Sequence, residues 1–385
     1  MSVQVRRDPF GLVLIVGAAN YPLFLPGVQT IQALVAGNGV AIKPALQSSA
    51  PAQALRELMI KAGLDADLVQ VLPDANRSVK DAVAVGVDKV LLTGSANTGR
   101  KVQAMLAETL TPSAMELSGC DAVFVLPTAA LDQVAKAILF GLRFNNSATC
   151  IAPRRVFIAS ERLAELEQLL LNQVTESHGD VPNDQRAVAL VKNALERNAR
   201  AVMGGIAIKQ GAEDHLLPTV LSDVDATMPI FSADVFAPVT CLVPVANMEQ
   251  ANVINEACPY ALGATVFGER RAAREFASQV NAGCVVVNDM IAPTADPRVP
   301  FGGRRQSGFG VTRGAIGLEE LTQVKSVSCQ NSRWLPHFDE PTPFDADLLA
   351  GFLEMAHGSS LREKALGLRS VIKAIVDQQS WKRKK

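Results

Sequence analysis

Gly11-Leu-Val-Leu-Ile-Val-Gly17, a segment of helical period at 27–36, and then Val40-Ala-Ile-Lys43-Pro44 form the stretch whose reading decides the fold. LVLIV is apolar at every position, so as a strand it needs cover on both faces, as in a parallel sheet layered by helices. The alternation continues through a helix at 50–62, Leu68-Val-Gln-Val-Leu-Pro73, a helix at 78–85, Lys89-Val-Leu-Leu-Thr-Gly-Ser95, a helix at 97–108 and Ala114-Met-Glu-Leu-Ser-Gly119. Four β-α repeats and a final strand predict a doubly wound, Rossmann-like parallel sheet over 8–118. Ser48 or Ser49 before Pro51, with Gly63 beyond, suits a helix start and stop.

A second series predicts an α/β domain over 119–310. Its strands are Asp121-Ala-Val-Phe-Val-Leu126, Arg154-Arg-Val-Phe-Ile-Ala159, Val239-Thr-Cys-Leu-Val-Pro-Val245, Ala261-Leu-Gly-Ala-Thr-Val-Phe-Gly268 and Cys284-Val-Val-Val-Asn-Asp289. Helices are expected at 131–145, 161–174, 248–257 and 271–281, with less regular chain after 174. A loop rich in Gly, Pro and Arg covers 290–310, and 322–330 alternates as a strand. Pro336, Pro341 and Pro343 mark a linker, and helical chain runs from Asp345 to about Gln379 with a break at Gly358. Lys382, Arg383, Lys384 and Lys385 read as a solvated, frayed end.

Composition narrows the class. Of 385 residues 48% are hydrophobic and 19% charged, and 37 Lys+Arg against 38 Asp+Glu leave a net charge of −1. These values exclude a disordered chain and a nucleic-acid-binding polycation. Arg6 and Arg7 precede an apolar run at 10–19, but Asp8 and Pro9 interrupt the transition and the run is too short to span a bilayer. A buried strand in a cytoplasmic protein, with no membrane partner, is the expectation. Cys120, Cys150, Cys241, Cys258, Cys284 and Cys329 lie far apart, so neither a disulfide framework nor a zinc knuckle is expected. His178, His215, His337 and His357 show no metal-ligand spacing, and no metal site is expected.

Four segments carry candidate chemistry. Asn20, in Gly17-Ala-Ala-Asn20-Tyr-Pro22, follows a strand end and either makes a turn or offers its amide to a developing oxyanion. Thr93-Gly94-Ser95-Ala-Asn-Thr-Gly99 opens a helix and suits either a phosphate or a plain capped turn. Glu116 at an apolar strand end is either exposed and paired or, if buried, a base working near neutral pH. Cys150 lies in a small-residue loop, Asn145-Asn-Ser-Ala-Thr-Cys150, and is either packing or a nucleophile. The other five cysteines, mostly in apolar runs, read as packing.

Together and in this order these segments resemble the aldehyde dehydrogenase superfamily, closest to its class-3, fatty-aldehyde branch. The likeness runs from about Asp8 to Val327. It includes Pro9-Phe-Gly-Leu-Val-Leu-Ile15, Ala36-Gly-Asn38, Leu110-Thr-Pro112 before Glu116-Leu117, Phe236 with Pro238, and Pro300-Phe-Gly-Gly303 with Ser307-Gly308. Cys150 stands 34 residues after Glu116 and Lys43 stands 23 after Asn20, separations that the branch uses.

The resemblance implies an NAD(P)-dependent oxidation of an aldehyde to a carboxylic acid. Cys150 would be the nucleophile, Asn20 and the Cys150 N–H the oxyanion donors, and Glu116 the base that activates water. Cofactor contacts fall on Lys43, Gly94, Ser95, Gly99, Leu117, Asp234 and Phe236. Asp234 stands where the family has Glu, and Leu46 where it has a Glu facing the adenosine ribose, so NADP is expected alongside NAD. Ala19 for Trp widens the pocket, and Ser118, Cys120, Ser147 and Ala148 depart from the family's residues around the base and thiol. The sequence lacks the family's N-terminal helical segment, which leads to the expectation of exposed apolar surface or room for a partner.

Residues 3–7 and 323–328 match a two-stranded arm that joins subunits into a homodimer or higher homo-oligomer, or else an edge pairing within one subunit. On this reading 311–330 is a return helix and oligomerisation strand, and 331–385 a linker and helical tail. Two other readings stand beside it: an acylating relative using phosphate or coenzyme A, and a non-catalytic member that binds a nucleotide or protein.

Overall fold

The computed structural model describes residues 2–173, 184–207, 214–331, 333, 335–338 and 340–383. His178, Lys384, Lys385 and the expected helix end at Val174 lie outside the described residues. Contacts divide the chain into two units, Arg6–Lys325 and a second formed by Met1–Val5 with Ser326–Lys385.

In the larger unit, the strands Leu12–Val16, Gly39–Lys43, Val69–Val71, Lys89–Thr93 and Ser113–Glu116 pair in parallel. Alternate residues of LVLIV enter different cores, as strand geometry requires. Val13 and Ile15 join Val40, Ile42, Leu91 and Ala114 against the helices Phe24–Val35 and Ser49–Lys61. Leu14 and Val16 join Ala41, Val90, Leu92 and Met115 against Arg77–Val85 and Ala96–Ala107. Burying each of the larger side chains contributes about 1.5–3 kcal/mol, so both faces of the sheet are stabilised. This is the expected doubly wound sheet.

Spatial order places Leu12–Val16 between Lys89–Thr93 and Gly39–Lys43. The chain therefore reverses its direction of winding beside this strand, and a crevice opens there at the carboxyl ends. Register brings those ends level: Val16 faces Lys43 and Leu92, and Thr93 faces Glu116.

The second sheet has the order Cys284–Val287, Gly263–Phe267, Asp121–Val125, Pro153–Ala159, Val239–Val245, Thr219–Ser222, Arg200–Met203. Leu131–Arg143 and Ser160–Gln173 cover one face, and Gln185–Glu196, Met248–Asn255 and Arg270–Gln279 the other. Phe124 and Phe157 stack across it, with ring centroids 5.2 Å apart.

Several expectations need correction. The sheets are not wholly parallel: Arg200–Met203 pairs antiparallel at one edge, and Gly308–Phe309, expected as loop, pairs antiparallel with the strand carrying Glu116. The first helix begins at Phe24, three residues before Gly27, since Pro26 is tolerated in a first turn. The helix at 131 stops at Arg143 because Asn145 and Asn146 are left-handed. The region after 174, read as irregular, contains Gln185–Glu196 and two strands of the second sheet. Cys329 is exposed and Cys284 only half-buried, so neither is a simple packing residue.

Ser2–Pro9 pairs with Thr322–Cys329 in a two-stranded sheet. In the smaller unit the helices Asp345–His357 and Leu361–Lys382 flank the break at Gly358. They cross where a Cβ on Gly351 would stand 2.9 Å from the Gly367 carbonyl oxygen. Ser360 and Glu363 form a capping box at the second helix. No helix among the described residues is long and apolar enough to cross a membrane.

Gly308 is where the edge strand closes on the base. Its φ is +106°, and a Cβ there would lie 1.9 Å from the Met115 carbonyl oxygen. Gly308→Ala is therefore expected to cost about 2 kcal/mol or more, from left-handed strain and displacement of the strand. A thermal melt showing no loss of stability would contradict this packing.

Candidate active site

One cleft of about 750 Å³ is lined by Asn20, Lys43, Gly94, Ser95, Glu116, Leu117, Cys150, Asp234 and Phe236. These are all the expected site residues except Gly99. Gly99 lies instead against Leu117, where a Cβ would come 2.6 Å from the leucine Cδ1. It packs helix against strand and does not line this cleft. A second cavity of about 340 Å³, walled largely by Phe24, Phe144, Ile151, Ile291 and Phe301, opens on the other side of Cys150. Cys150, Leu25 and Phe301 line both spaces.

The loop before Cys150 is built from strain. Asn145, Asn146 and Ser147 have φ of 51°, 50° and 57°, three consecutive left-handed residues that are not glycine. Such a conformation persists only when its surroundings hold it. Arg154, buried in the next strand, donates from Nη1 to Ser147 Oγ (3.0 Å) and from Nη2 to the Ser147 carbonyl (2.6 Å). Its Nη1 also reaches the carbonyls of Ala237 (2.7 Å) and Val239 (3.2 Å). Asn145 Nδ2 donates to the carbonyls of Asn20 and Ala148, both at 3.2 Å. Gly119 makes room beneath, since a Cβ there would fall 2.2 Å from the Cys150 carbonyl oxygen.

Asn20 donates one amide hydrogen to the Ala148 carbonyl at 3.0 Å, which orients the amide and leaves its second hydrogen for another acceptor. Tyr21 Oη and Thr149 Oγ1 share a hydrogen bond of 2.7 Å. Glu116 is buried and accepts a hydrogen bond from the Thr312 hydroxyl. Burial pushes its carboxyl above the usual range, opposed by the Thr312 bond and the charge of Arg313. Of the two readings of Glu116 the structure thus shows the buried one. Burial also pushes the Cys150 thiol up to about 12, aided by Asp121 and Glu116 and opposed by its own N–H and Arg313.

Around the cleft, Ser95 caps the helix Ala96–Ala107 by accepting from Thr98 N at 3.1 Å, and Gly94, Ser95 and Thr98 bring this helix start to the cleft wall. Ser118 accepts from Ala96 N at 2.9 Å, tying that helix start to the strand end that carries Glu116. Lys43 is 4% exposed and forms no ion pair among the described residues; burial lowers its pKa, against the pull of Asp74.

Sequence reading missed several participants. Asp184 and Arg186 line the cleft from the helix Gln185–Glu196. Arg154 and Asp121 were readable as charges inside apolar strands, which are buried only when something holds them. Thr312 and Arg313 come from a loop with no recognisable pattern. Among the described residues no group of three His, Cys, Asp or Glu side chains is arranged to hold a metal.

Two largely parallel sheets covered by helices bring a thiol, a buried carboxyl and an amide to the wall of one cleft at the strand ends, where open α/β folds bind their ligands. The aldehyde dehydrogenase family model matches residues 1–327, and the chain belongs to that family. It is 28% identical to aldehyde dehydrogenase family 3 member H1 of Arabidopsis thaliana, covering 85% of this chain and 70% of the relative. To the dimeric NADP-preferring aldehyde dehydrogenase of Mus musculus it is 27% identical, covering 86% and 75%. The structure of a Mycobacterium tuberculosis aldehyde dehydrogenase with NAD+ superposes with a TM-score of 0.78 at 29% identity, covering 86% and 72%. One of aldehyde dehydrogenase C from Pseudomonas syringae, with NAD+ and octanal, gives 0.77 at 29%, covering 84% and 70%.

Asp121 beneath the loop accepts from Gly263 N at 3.1 Å. Burial raises its pKa to about 7, outweighing the Gly263 bond and the attraction of Arg155 and Arg154. A carboxyl raised on folding stabilises the native state while both states hold the proton, and that stability is lost as pH rises toward the folded pKa. Asp121→Asn keeps the acceptor for Gly263 and removes the ionisation. It is expected to raise the melting temperature by several degrees at pH 8.5 and to change it little at pH 4; equal shifts at both would refute the assignment.

Proposed function

We propose that the protein oxidises an apolar aldehyde to its carboxylic acid with NAD or NADP, through a covalent intermediate on Cys150. The carrying observation is that the Cys150 thiol lies in the wall shared by an apolar pocket and a polar, dinucleotide-sized cleft. The aldehyde enters from the apolar side, where Phe24, Phe144 and Phe301 suit an aliphatic or aromatic chain of about the size of octanal.

The cleft's residues fit a nicotinamide dinucleotide: the buried Lys43, without an ion pair among the described residues, and the part-buried Asp234 suit ribose hydroxyls, the helix start at Ser95 the pyrophosphate, and Phe236 the nicotinamide ribose. When bound, the dinucleotide supplies the hydride acceptor. Leu46, 57% exposed at the cleft edge, leaves no carboxylate to oppose a 2′-phosphate. Both cofactors are therefore accommodated.

The steps follow from the residues. Cys150 thiolate attacks the carbonyl carbon, and the alkoxide that forms accepts from the free Asn20 amide hydrogen and the Cys150 N–H. Loss of hydride from the thiohemiacetal leaves a thioester on Cys150. Glu116 takes a proton from water, which attacks the thioester; the acid departs and the thiolate is restored. A buried carboxyl with a raised pKa is suited to this proton transfer, and its presence favours hydrolysis over acyl transfer to phosphate or coenzyme A.

Octanal or benzaldehyde with NAD or NADP is expected to give reduced cofactor and free acid, and Cys150→Ala to give neither. Glu116→Gln should release about one equivalent of reduced cofactor in a burst and hold an acyl group on Cys150. Asn20→Ala should lose about a hundredfold in kcat, or near 3 kcal/mol. No turnover across an aldehyde panel with both cofactors, together with ordinary thiol reactivity at Cys150, would favour a non-catalytic nucleotide-binding protein.

The paired strands Ser2–Pro9 and Thr322–Cys329 expose Val3 (58%), Val5 (65%) and Val324 (63%). An uncovered, β-branched edge suits pairing with another copy, and the ribbon is proposed as the arm of a homo-oligomer. Val324→Lys should lower the sedimenting mass of the wild-type assembly; a monomeric wild type would remove this assignment.

A further inference from the structure

Arg313 is 5% exposed and lines the apolar pocket that ends at Cys150. Among the described residues no carboxylate comes within ion-pair distance of it, so the cavity wall holds a cation with no direct ion pair, although the Glu116 carboxylate lies within its electrostatic reach. The residue is also held against its own preference. Its φ is +66°, a conformation that non-glycine residues adopt only when neighbours enforce it. Here the backbone N–H donates to Gln32 Oε1 at 3.0 Å, Nη1 donates to the Thr294 carbonyl, and the guanidinium stacks on Phe301 with 4.5 Å to the ring centroid. Phe301 itself lines both cavities at Cys150. The preceding residue, Thr312, is bonded to Glu116. Thr312 thus contacts Glu116, while Arg313 shares the walls of one cavity with Cys150.

A buried cation is retained where an anion meets it. The groups that act on Cys150 are Asp121 from one strand, Glu116 from another, Tyr21 from the loop after the first strand, and Arg313. Asp121 and Glu116 both oppose thiolate formation, as does burial, and Arg313 is the cation among these groups that favours it. Reciprocally, Arg313 senses Glu116, Cys150 and the half-buried Cys284. We propose that Arg313 is the resident counter-cation of the Cys150 thiolate, a further residue of the reaction centre that stabilises the nucleophile in its charged form. The proposal rests on the reading of Cys150 as the nucleophile.

The test is the rate of Cys150 alkylation by iodoacetamide between pH 6 and 9, mapped by mass spectrometry with Cys150→Ala as the blank. Arg313→Gln keeps a donor for the Thr294 carbonyl and removes the charge. Loss of the charge lowers the thiolate fraction, and the greater nucleophilicity of a more basic thiolate offsets part of that loss, so a rate about three- to fourfold slower at each pH is expected. Arg313→Lys keeps the charge and is expected within about twofold of wild type.

An unchanged rate in a folded Arg313→Gln protein overturns the proposal, and so does a Lys variant as slow as that expected for Gln. If Arg313→Gln does not fold, Arg313→Met, which also removes the charge, takes its place with the same two outcomes. The same variants are assayed with an n-alkanal and an ω-carboxyalkanal of equal length. Unaltered alkylation with a rise in KM confined to the carboxylated aldehyde would assign Arg313 to the substrate's anion instead. Alkylation needs no turnover, so a wild type inactive toward aldehydes overturns the functional reading while the role of Arg313 is still measured.

Discussion

The Arg154 guanidinium, 4% exposed and paired with no carboxylate among the described residues, fastens Ser147 to the carbonyls of Ala237 and Val239. Everything at the thiol depends on that attachment. Three left-handed residues lead into Cys150, and without a rigid tether the chain would relax them toward ordinary dihedrals. Ala237 and Val239 follow directly on Asp234 and Phe236, which line the cofactor cleft. One side chain therefore sets the distance between the nucleophile loop and the opposite wall. Removing it would also strand buried carbonyls, each costing about 1–3 kcal/mol.

The architecture was legible because its cause is local. LVLIV, KVLL and DAVFV are apolar at almost every position, and only a strand covered on both faces buries all of them. Strand order then follows from short crossovers, and the carboxyl ends of the strands collect the residues just beyond each run. For that reason Asn20, Lys43, Ser95 and Glu116, spread over nearly a hundred positions of sequence, share one crevice. Cys150 joined them through family likeness more than through its own surroundings, since a cysteine among small residues is usually packing.

What escaped the reading is set by tertiary contact. Gly99 fits a phosphate-binding turn in sequence, yet the side chain that decides its role is Leu117, eighteen positions away. Thr312 reaches Glu116 across 196 residues, and no periodicity reports such a contact. The edge strand at Gly308–Phe309 is two residues long, below the length at which alternation is visible. Ser118 and Cys120, departures from the family pattern, are accommodated by partners of their own. Ser118 accepts from Ala96 N, and the Cys120 carbonyl takes Nε and Nη2 of Arg155 at 3.1 and 2.6 Å.

Because Cys150 lines both an apolar pocket and a polar cleft, the proposed reaction would let an aldehyde and a dinucleotide reach the sulfur from different sides. The two spaces meet at Leu25, Cys150 and Phe301, so bulk added at Leu25 or Phe301 would be felt by both occupants at once.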